Sequence, residues 1–334
     1  MIVSSILLLT IGLVFKPKPS RKAYQPQLSS LHTSEGFGIS LGLFASQADW
    51  DYQGLLNEVY QVGARQIMIV VPINQESHLS NTPSLGVVIE RIRSTLRQAK
   101  TLGFNVTLMP VIKLRQRQMN YWRGTLAPTR PNLWWSNYRV ELKRLASLAK
   151  QEKVERLIIG AELCSLEHEY EHWADLIQLI RQRFPGALSY SANWDHYQEI
   201  KFWPLLDELA VTAYVPIARE SEIAQTWQAY LKQVTDFAHK QKRPLLISEY
   251  GYPALDSAMS QPWNETTPAA LNTQLQSRLI KGSTQFLLKQ IRSEDAGLKA
   301  AFLWNWFGFG AQKDRGFSPR KREAEQVLKQ LLSQ

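Results

Sequence analysis

The sequence predicts an α/β fold, a single (β/α)8 TIM barrel preceded by a hydrophobic N-terminal segment and a linker. Three observations carry that prediction. From Gly36 onward, short runs rich in β-branched residues alternate with longer amphipathic stretches, the mark of repeated βα units around a parallel sheet. The short runs number eight, as a closed barrel requires. The helix-to-strand joints Val62-Gly63-Ala64 and Leu102-Gly103-Phe104 place Gly where a helix ends in a left-handed turn.

In chain order, strands are expected over residues 38–44, 66–71, 105–111, 156–161, 188–192, 208–213, 244–248 and 300–304. Helical periodicity fills much of the space between them. Over residues 84–102, Val87, Val88, Ile92, Leu96 and Ala99 fall near one face, with Arg91, Arg93 and Arg97 outside. Residues 223–240 and 271–291 follow the same pattern, and 320–332 close the chain. Two strand-to-helix connections are long, 113–133 and 250–268. Loops after strands lie on the C-terminal face of a barrel, where active sites are built, and long loops in a compact domain are more often functional than idle.

A chain of 334 residues with 44% hydrophobic side chains can bury one large core, which excludes a disordered class. The formal charge of +10 raises the possibility of an anionic partner. The basic residues, however, sit in short runs: Lys16, Lys18, Arg21 and Lys22, then Lys113, Arg115, Arg117, Arg123 and Arg130. No nucleic-acid-binding signature accompanies them, so no nucleic-acid partner is expected. Cys164 is the one cysteine, so no intramolecular disulfide is possible and no cysteine-based metal site is expected. Residues 1–15 form an apolar run that suits a signal-peptide core or an uncleaved membrane anchor, and 16–35 read as a polar linker. A secreted, periplasmic or membrane-anchored location is expected, with membrane contact only through that segment. The domain over 36–334 is expected to be a monomer.

The informative acids are those that end strands. Glu162 follows Leu157-Ile-Ile-Gly-Ala161, and Glu249 follows Leu245-Leu-Ile-Ser248. A carboxylate directly after a buried strand costs desolvation energy unless a partner or a function retains it. Here two such residues end strands four and seven, which meet at one barrel mouth. Paired carboxyl groups suit glycosidic cleavage, in which one serves as acid/base and the other as nucleophile. Their environments must then differ: apolar walls and an anionic neighbour raise one pKa, while hydrogen bonds keep the other group ionised.

Gly160-Ala-Glu-Leu163, Tyr190-Ser-Ala-Asn-Trp-Asp195, Ser248-Glu-Tyr-Gly251 and Trp304 together resemble the retaining barrel glycosidases that carry acid/base and nucleophile on strands four and seven. Within that clan the chain is most similar to glycoside hydrolase family 113, known chiefly for β-1,4-mannanase activity, from about Gly36 to the C-terminus. The resemblance implies Glu162 as acid/base, Glu249 as nucleophile and a poly- or oligosaccharide substrate such as β-1,4-mannan, with no metal and no cofactor. Two positions depart from the pattern. Ala161 precedes Glu162 where many clan members have Asn, and strand three ends Pro110-Val-Ile-Lys113 where family members often have His and Asp.

Other strand-end residues are candidates for sugar contacts. Asn193, Trp194 and Asp195 follow strand five, and Tyr214 follows strand six, where its phenol can keep a nucleophile anionic. Trp304 and Trp306 end strand eight and can form a platform under a sugar ring. Each of these aromatic residues also fits plain core packing.

The cluster Glu167, His168, Glu169, Glu171 and His172 places two histidines four residues apart, yet it reads as a solvated first helical turn rather than a metal site, because the helix dipole favours acids there. Cys164 reads as a buried, inert thiol. A catalytically silent carbohydrate-binding or cell-envelope protein on the same barrel is the alternative functional class.

Overall fold

The computed structural model describes residues 36–47, 50–116, 121–293 and 297–333. The expected signal or anchor segment and linker, 1–35, lie outside the described residues. Apolar runs become strands β1 (Phe37–Gly42), β2 (Gln66–Gln75), β3 (Asn105–Leu114) and β4 (Arg156–Ala161). They continue as β5 (Ala187–Ala192), β6 (Leu209–Thr212), β7 (Leu245–Tyr250) and β8 (Leu298–Leu303). All eight pair in parallel with their neighbours, and β1 pairs with both β2 and β8, which closes the barrel. A two-residue strand, Ser84–Leu85, adds an antiparallel pairing to the end of β2. Among the described residues no helix is long and apolar enough to cross a membrane.

The helices are α1 (Tyr52–Val62), α2 (Ile89–Thr101), α3 (Pro131–Gln151), α4 (Tyr170–Arg181), α5 (Ile223–Lys240), α6 (Thr273–Arg292) and α7 (Glu323–Leu332). Local chemistry sets their ends. The Asp51 side chain accepts from the Gly54 N–H at the start of α1, and Asn272 accepts from Leu275 at the start of α6. Gly63 ends α1 at φ +106°, a conformation that a Cβ would strain. Between β5 and β6 the barrel has no α-helix. Two 3-10 turns, Tyr197–Glu199 and Trp203–Leu205, take its place, with Phe202 and Trp203 buried as the packing layer. Pro204 has no N–H to donate and blocks a continuous helix there.

The core has two parts. Between strands and helices lies a large apolar layer that includes Trp134, Trp135, Trp173 and Trp227. Inside the barrel, Met68, Val70, Met109, Ile158, Ala210, Leu246 and Phe302 fill the axis, and Phe44 and Trp304 pack on them. The barrel is therefore plugged, and side chains at its C-terminal rim stand on a packed floor. Pairing registers shift between Ile158 and Ala161 in β4, between Val211 and Thr212 in β6, and between Ile247 and Tyr250 in β7. Irregularities of this kind re-aim side chains at barrel rims. Here they sit beside Glu162, Thr212 and Glu249.

Candidate active site

Glu162 leaves β4 at φ +51°, a left-handed conformation that is unfavourable for a residue with a Cβ. Its backbone is pinned on both sides. Its N–H donates to the Ser191 carbonyl at 2.8 Å, and the Leu163 N–H donates to the Tyr190 hydroxyl at 2.7 Å. The side chain, 4% exposed, is thereby turned into the barrel mouth. One carboxylate oxygen accepts from the Thr212 hydroxyl at 2.6 Å, and the other pairs with the Arg123 guanidinium.

Glu249 lies within β7 and is 1% exposed. Its Oε2 accepts from the Tyr214 hydroxyl at 2.8 Å, and its Oε1 is buried with no hydrogen-bond partner among the described residues. Burial and then the Glu162 charge push the Glu249 carboxyl up to about 8, against the opposing pull of Arg123 and the Tyr214 hydrogen bond. Burial and the nearby Glu249 charge hold Tyr214 far above the usual phenol range, so it remains a donor. For Arg123, burial works against the charged form, but Glu162, Glu249 and Tyr214 outweigh it and hold the guanidinium charged. Two carboxylates therefore share one cation in a nearly sealed site, and at neutral pH the pair retains a proton.

Arg123 comes from the long β3–α3 connection, in the 3-10 turn Arg123–Thr125. The Trp122 N–H donates to the Thr125 hydroxyl at 3.1 Å within this turn, and the Arg123 guanidinium lies 5.9 Å from the Trp122 ring. In the sequence Arg123 figures only as part of a basic segment. Nothing local marks it as the cation of the carboxylate pair, because the loop alone brings it there. Thr212, the last residue of β6, was likewise hidden inside an apolar strand.

The remaining candidates divide. Asn193 stands beside the pair, with its side-chain oxygen 3.5 Å from the Thr212 hydroxyl. Trp304 packs at the barrel mouth against Phe44, ring centroids 6.3 Å apart, and Lys113 lies 5.6 Å from the other ring, that of Phe44. Gly251 lets the chain after Glu249 pass under this residue: a Cβ there would meet the Trp304 carbonyl oxygen at 2.4 Å.

Trp194 faces outward from the pair. It stacks on Trp263 at 6.3 Å and lines a groove of about 460 Å³ with Gln225, Thr226 and Tyr230 of α5. Asp195 is exposed on the same loop. Trp306 departs from expectation. It is fully buried and its indole N–H donates to Glu58 at 2.9 Å, so its ring offers no face to a sugar.

The acidic cluster after Glu162 also departs from expectation. Helix α4 starts only at Tyr170, and Glu167 is not solvated. It is 4% exposed and accepts from the Tyr190 hydroxyl at 2.6 Å and from His196 Nδ1 at 2.8 Å. His168 is exposed, whereas His172 stacks on Trp135 and contacts Arg139, so these two histidines do not form a metal pair. Cys164 is only partly buried, and burial together with the Glu167 and Glu162 charges pushes its thiol far up.

The model of glycoside hydrolase family 113 matches residues 46–316. No curated protein sequence matches the chain. Among solved structures, the barrel is similar to a glycoside hydrolase family 113 β-mannanase, AaManA, from Alicyclobacillus acidocaldarius in complex with ManMIm. That similarity has a TM-score of 0.78 at 20% identity and covers 89% of this chain and 96% of that one. A β-1,4-mannanase of the same family, solved as a complex, aligns with a TM-score of 0.77 at 19% identity, covering 89% and 98%. A family 5 enzyme from Bifidobacterium longum subsp. longum, in complex with Manβ1-4GlcNAc, aligns with a TM-score of 0.60 at 12% identity, covering 89% and 77%. At these identities the structural likenesses establish the fold.

Proposed function

The chain belongs to glycoside hydrolase family 113, and from that premise we propose that it cleaves β-1,4-mannan or manno-oligosaccharides with retention, using Glu162 as acid/base and Glu249 as nucleophile. The observation that carries the assignment of roles is the unequal environment of the two carboxylates. Glu249 Oε1 is buried and unbonded among the described residues, whereas both oxygens of Glu162 are engaged by Thr212 and Arg123. A free carboxylate oxygen is the one able to bond an anomeric carbon.

In the first step, Glu162 gives its proton to the leaving glycosidic oxygen while Glu249 Oε1 attacks the anomeric carbon. The bond to the leaving sugar breaks and an ester to Glu249 forms. In the second, Glu162 takes a proton from water as the water oxygen displaces Glu249. The pair's single proton must therefore reside on Glu162 when the sugar is bound. We assign its transfer from Glu249 to the entry of the sugar, which displaces Arg123 from Glu162. Tyr214 then keeps Glu249 anionic by donating to Oε2. Trp304 is assigned as the platform at the cleavage point and Asn193 as a hydroxyl contact. The apolar run over residues 1–15 is assigned to delivery of this domain to or across a membrane.

The test is release of reducing sugar from mannan, glucan and xylan by the purified chain and by Glu249→Gln. Release from mannan that is abolished in the variant is expected. Sugar binding with no release from any glycan would instead place the chain among silent carbohydrate-binding proteins.

A further inference from the structure

Beside the carboxylate pair, three side chains of different chemistry converge: Cys164, Glu167 and His196. One donor atom from each lies within 4.8 Å of the other two, and among the described residues this is the one group of three or more such donors. The fold brings them together from separate elements. Cys164 opens the 3-10 turn after β4, Glu167 follows that turn, and His196 comes from the β5–β6 loop. None of this is visible in the sequence, where His196 lies 29 residues from Glu167.

We infer that Cys164, Glu167 and His196 form a binding site for a thiophilic divalent cation of the zinc class, and that its occupancy slows the adjacent carboxylate pair. The donor set is the thiolate, imidazole and carboxylate combination such cations take, at about 2.0–2.3 Å from each donor. A tetrahedral ion at those distances sets its donors about 3.5 Å apart, so the farthest donors must close by ~1 Å while the Glu167–His196 hydrogen bond of 2.8 Å opens to admit the ion. Three protein donors leave a fourth position for water.

The surroundings favour a cation. Besides Glu167, the charges of Glu162 and Asp195 act on the Cys164 thiol. The His196 side chain is 38% exposed, which provides a route in from solvent. Binding displaces the thiol proton to water, and the imidazole binds through a neutral nitrogen.

The link to catalysis runs through Tyr190. Its hydroxyl donates to Glu167 at 2.6 Å and accepts the Leu163 N–H at 2.7 Å, directly after Glu162 with its left-handed backbone. A cation that takes Glu167 as a ligand replaces its hydrogen bond with His196, pulls on this chain and shifts the acid/base. This second half of the inference rests on the glycosidase reading. The first half does not.

The experiment uses the purified, chelator-stripped chain. Zn²⁺ affinity is measured by competition with a chromogenic chelator, and Co²⁺ loading is followed by its thiolate-to-metal absorption. One equivalent is expected to bind in the wild type. The thiolate band should be absent in Cys164→Ser, and affinity should fall by more than about tenfold in His196→Ala, with circular dichroism confirming that both variants fold. No binding, or binding unchanged in Cys164→Ser, overturns the site. On mannan, saturating Zn²⁺ should lower kcat by about tenfold with KM little changed, reversibly on chelation, and should leave Cys164→Ser unaffected. Binding with an unchanged kcat overturns the coupling. If no glycan is cleaved under any condition, the binding data still decide the site, and only the glycosidase reading falls.

Discussion

The two ends of the barrel treat charge in opposite ways. At the N-terminal end, each buried or half-buried carboxylate has its own cation. Arg156, which opens β4, donates to Glu208 through Nε at 2.5 Å and Nη2 at 3.0 Å, and to the Thr107 hydroxyl at 3.0 Å. Asp207 pairs with Arg181 and accepts the Leu188 N–H at 2.8 Å. Glu155 pairs with Lys100 and accepts the Val106 N–H at 2.7 Å. At the C-terminal end, Glu162 and Glu249 share Arg123, and one carboxylate oxygen is left buried without a partner among the described residues.

A matched set of charges tethers strand starts to one another and has no chemistry left to perform. An unmatched set holds a shifted proton and a free oxygen, the two things that acid/base and nucleophilic catalysis need. The difference separates stability from function along one axis of the fold.

Substitutions at the two ends should therefore fail in different assays. At the mouth, Glu249→Gln is expected to cost at least about 10⁴-fold in kcat. Glu162→Gln should cost about 10²–10⁴-fold, with a smaller loss on substrates whose leaving group needs no proton. Both variants should unfold no earlier than the wild type. Steady-state kinetics beside thermal melts check this, and a variant that loses activity only by melting would erase the contrast.

At the base, Glu208→Gln removes the carboxylate charge that two Arg156 nitrogens bond and is expected to destabilise by about 3 kcal/mol, with kcat unchanged below the lowered midpoint. A loss of kcat without a loss of stability there would break the comparison from the other side.

The smallest expected effect concerns pH. The folded protein holds Glu249 protonated up to about 8, whereas the carboxyl in the unfolded chain titrates near 4.5. Between these values the folded state binds the extra proton, so stability falls as pH rises through the window. Glu249→Gln removes that slope and should melt about 2–4 °C above the wild type at pH 8, with little difference at pH 4. Equal pH slopes in melts of the two proteins would show that the mouth stores no such strain.

Much of this could be read from the chain itself. Eight β-branched runs announced eight strands because side chains facing two apolar layers leave few alternatives, and most boundaries shifted by only a few residues. Glu162 and Glu249 stood out because an acid directly after a buried strand is costly without a reason. Tyr214 was marked by its place after strand six, and it does meet Glu249.

What stayed hidden depends on contacts across long stretches of sequence. Arg123 reaches Glu162 from a loop 39 positions earlier by numbering (162 − 123), and no periodicity encodes that approach. Glu167 sits in a polar run that reads as a helix start, yet the structure seals it under Tyr190 and His196. Trp306 lies two residues after a residue at the mouth, and its burial follows from a bond to Glu58, 248 positions away. The missing helix between β5 and β6 left only a weak sign, Pro204 in a short aromatic segment.

The central claim is that Glu162 and Glu249 act as a retaining pair, and the anomeric configuration of the first product tests it most directly. Proton NMR of manno-oligosaccharide cleavage, recorded before mutarotation, should show the β-anomer released first. Release of the α-anomer first would contradict the account, because it would require water, rather than Glu249, to attack the sugar directly.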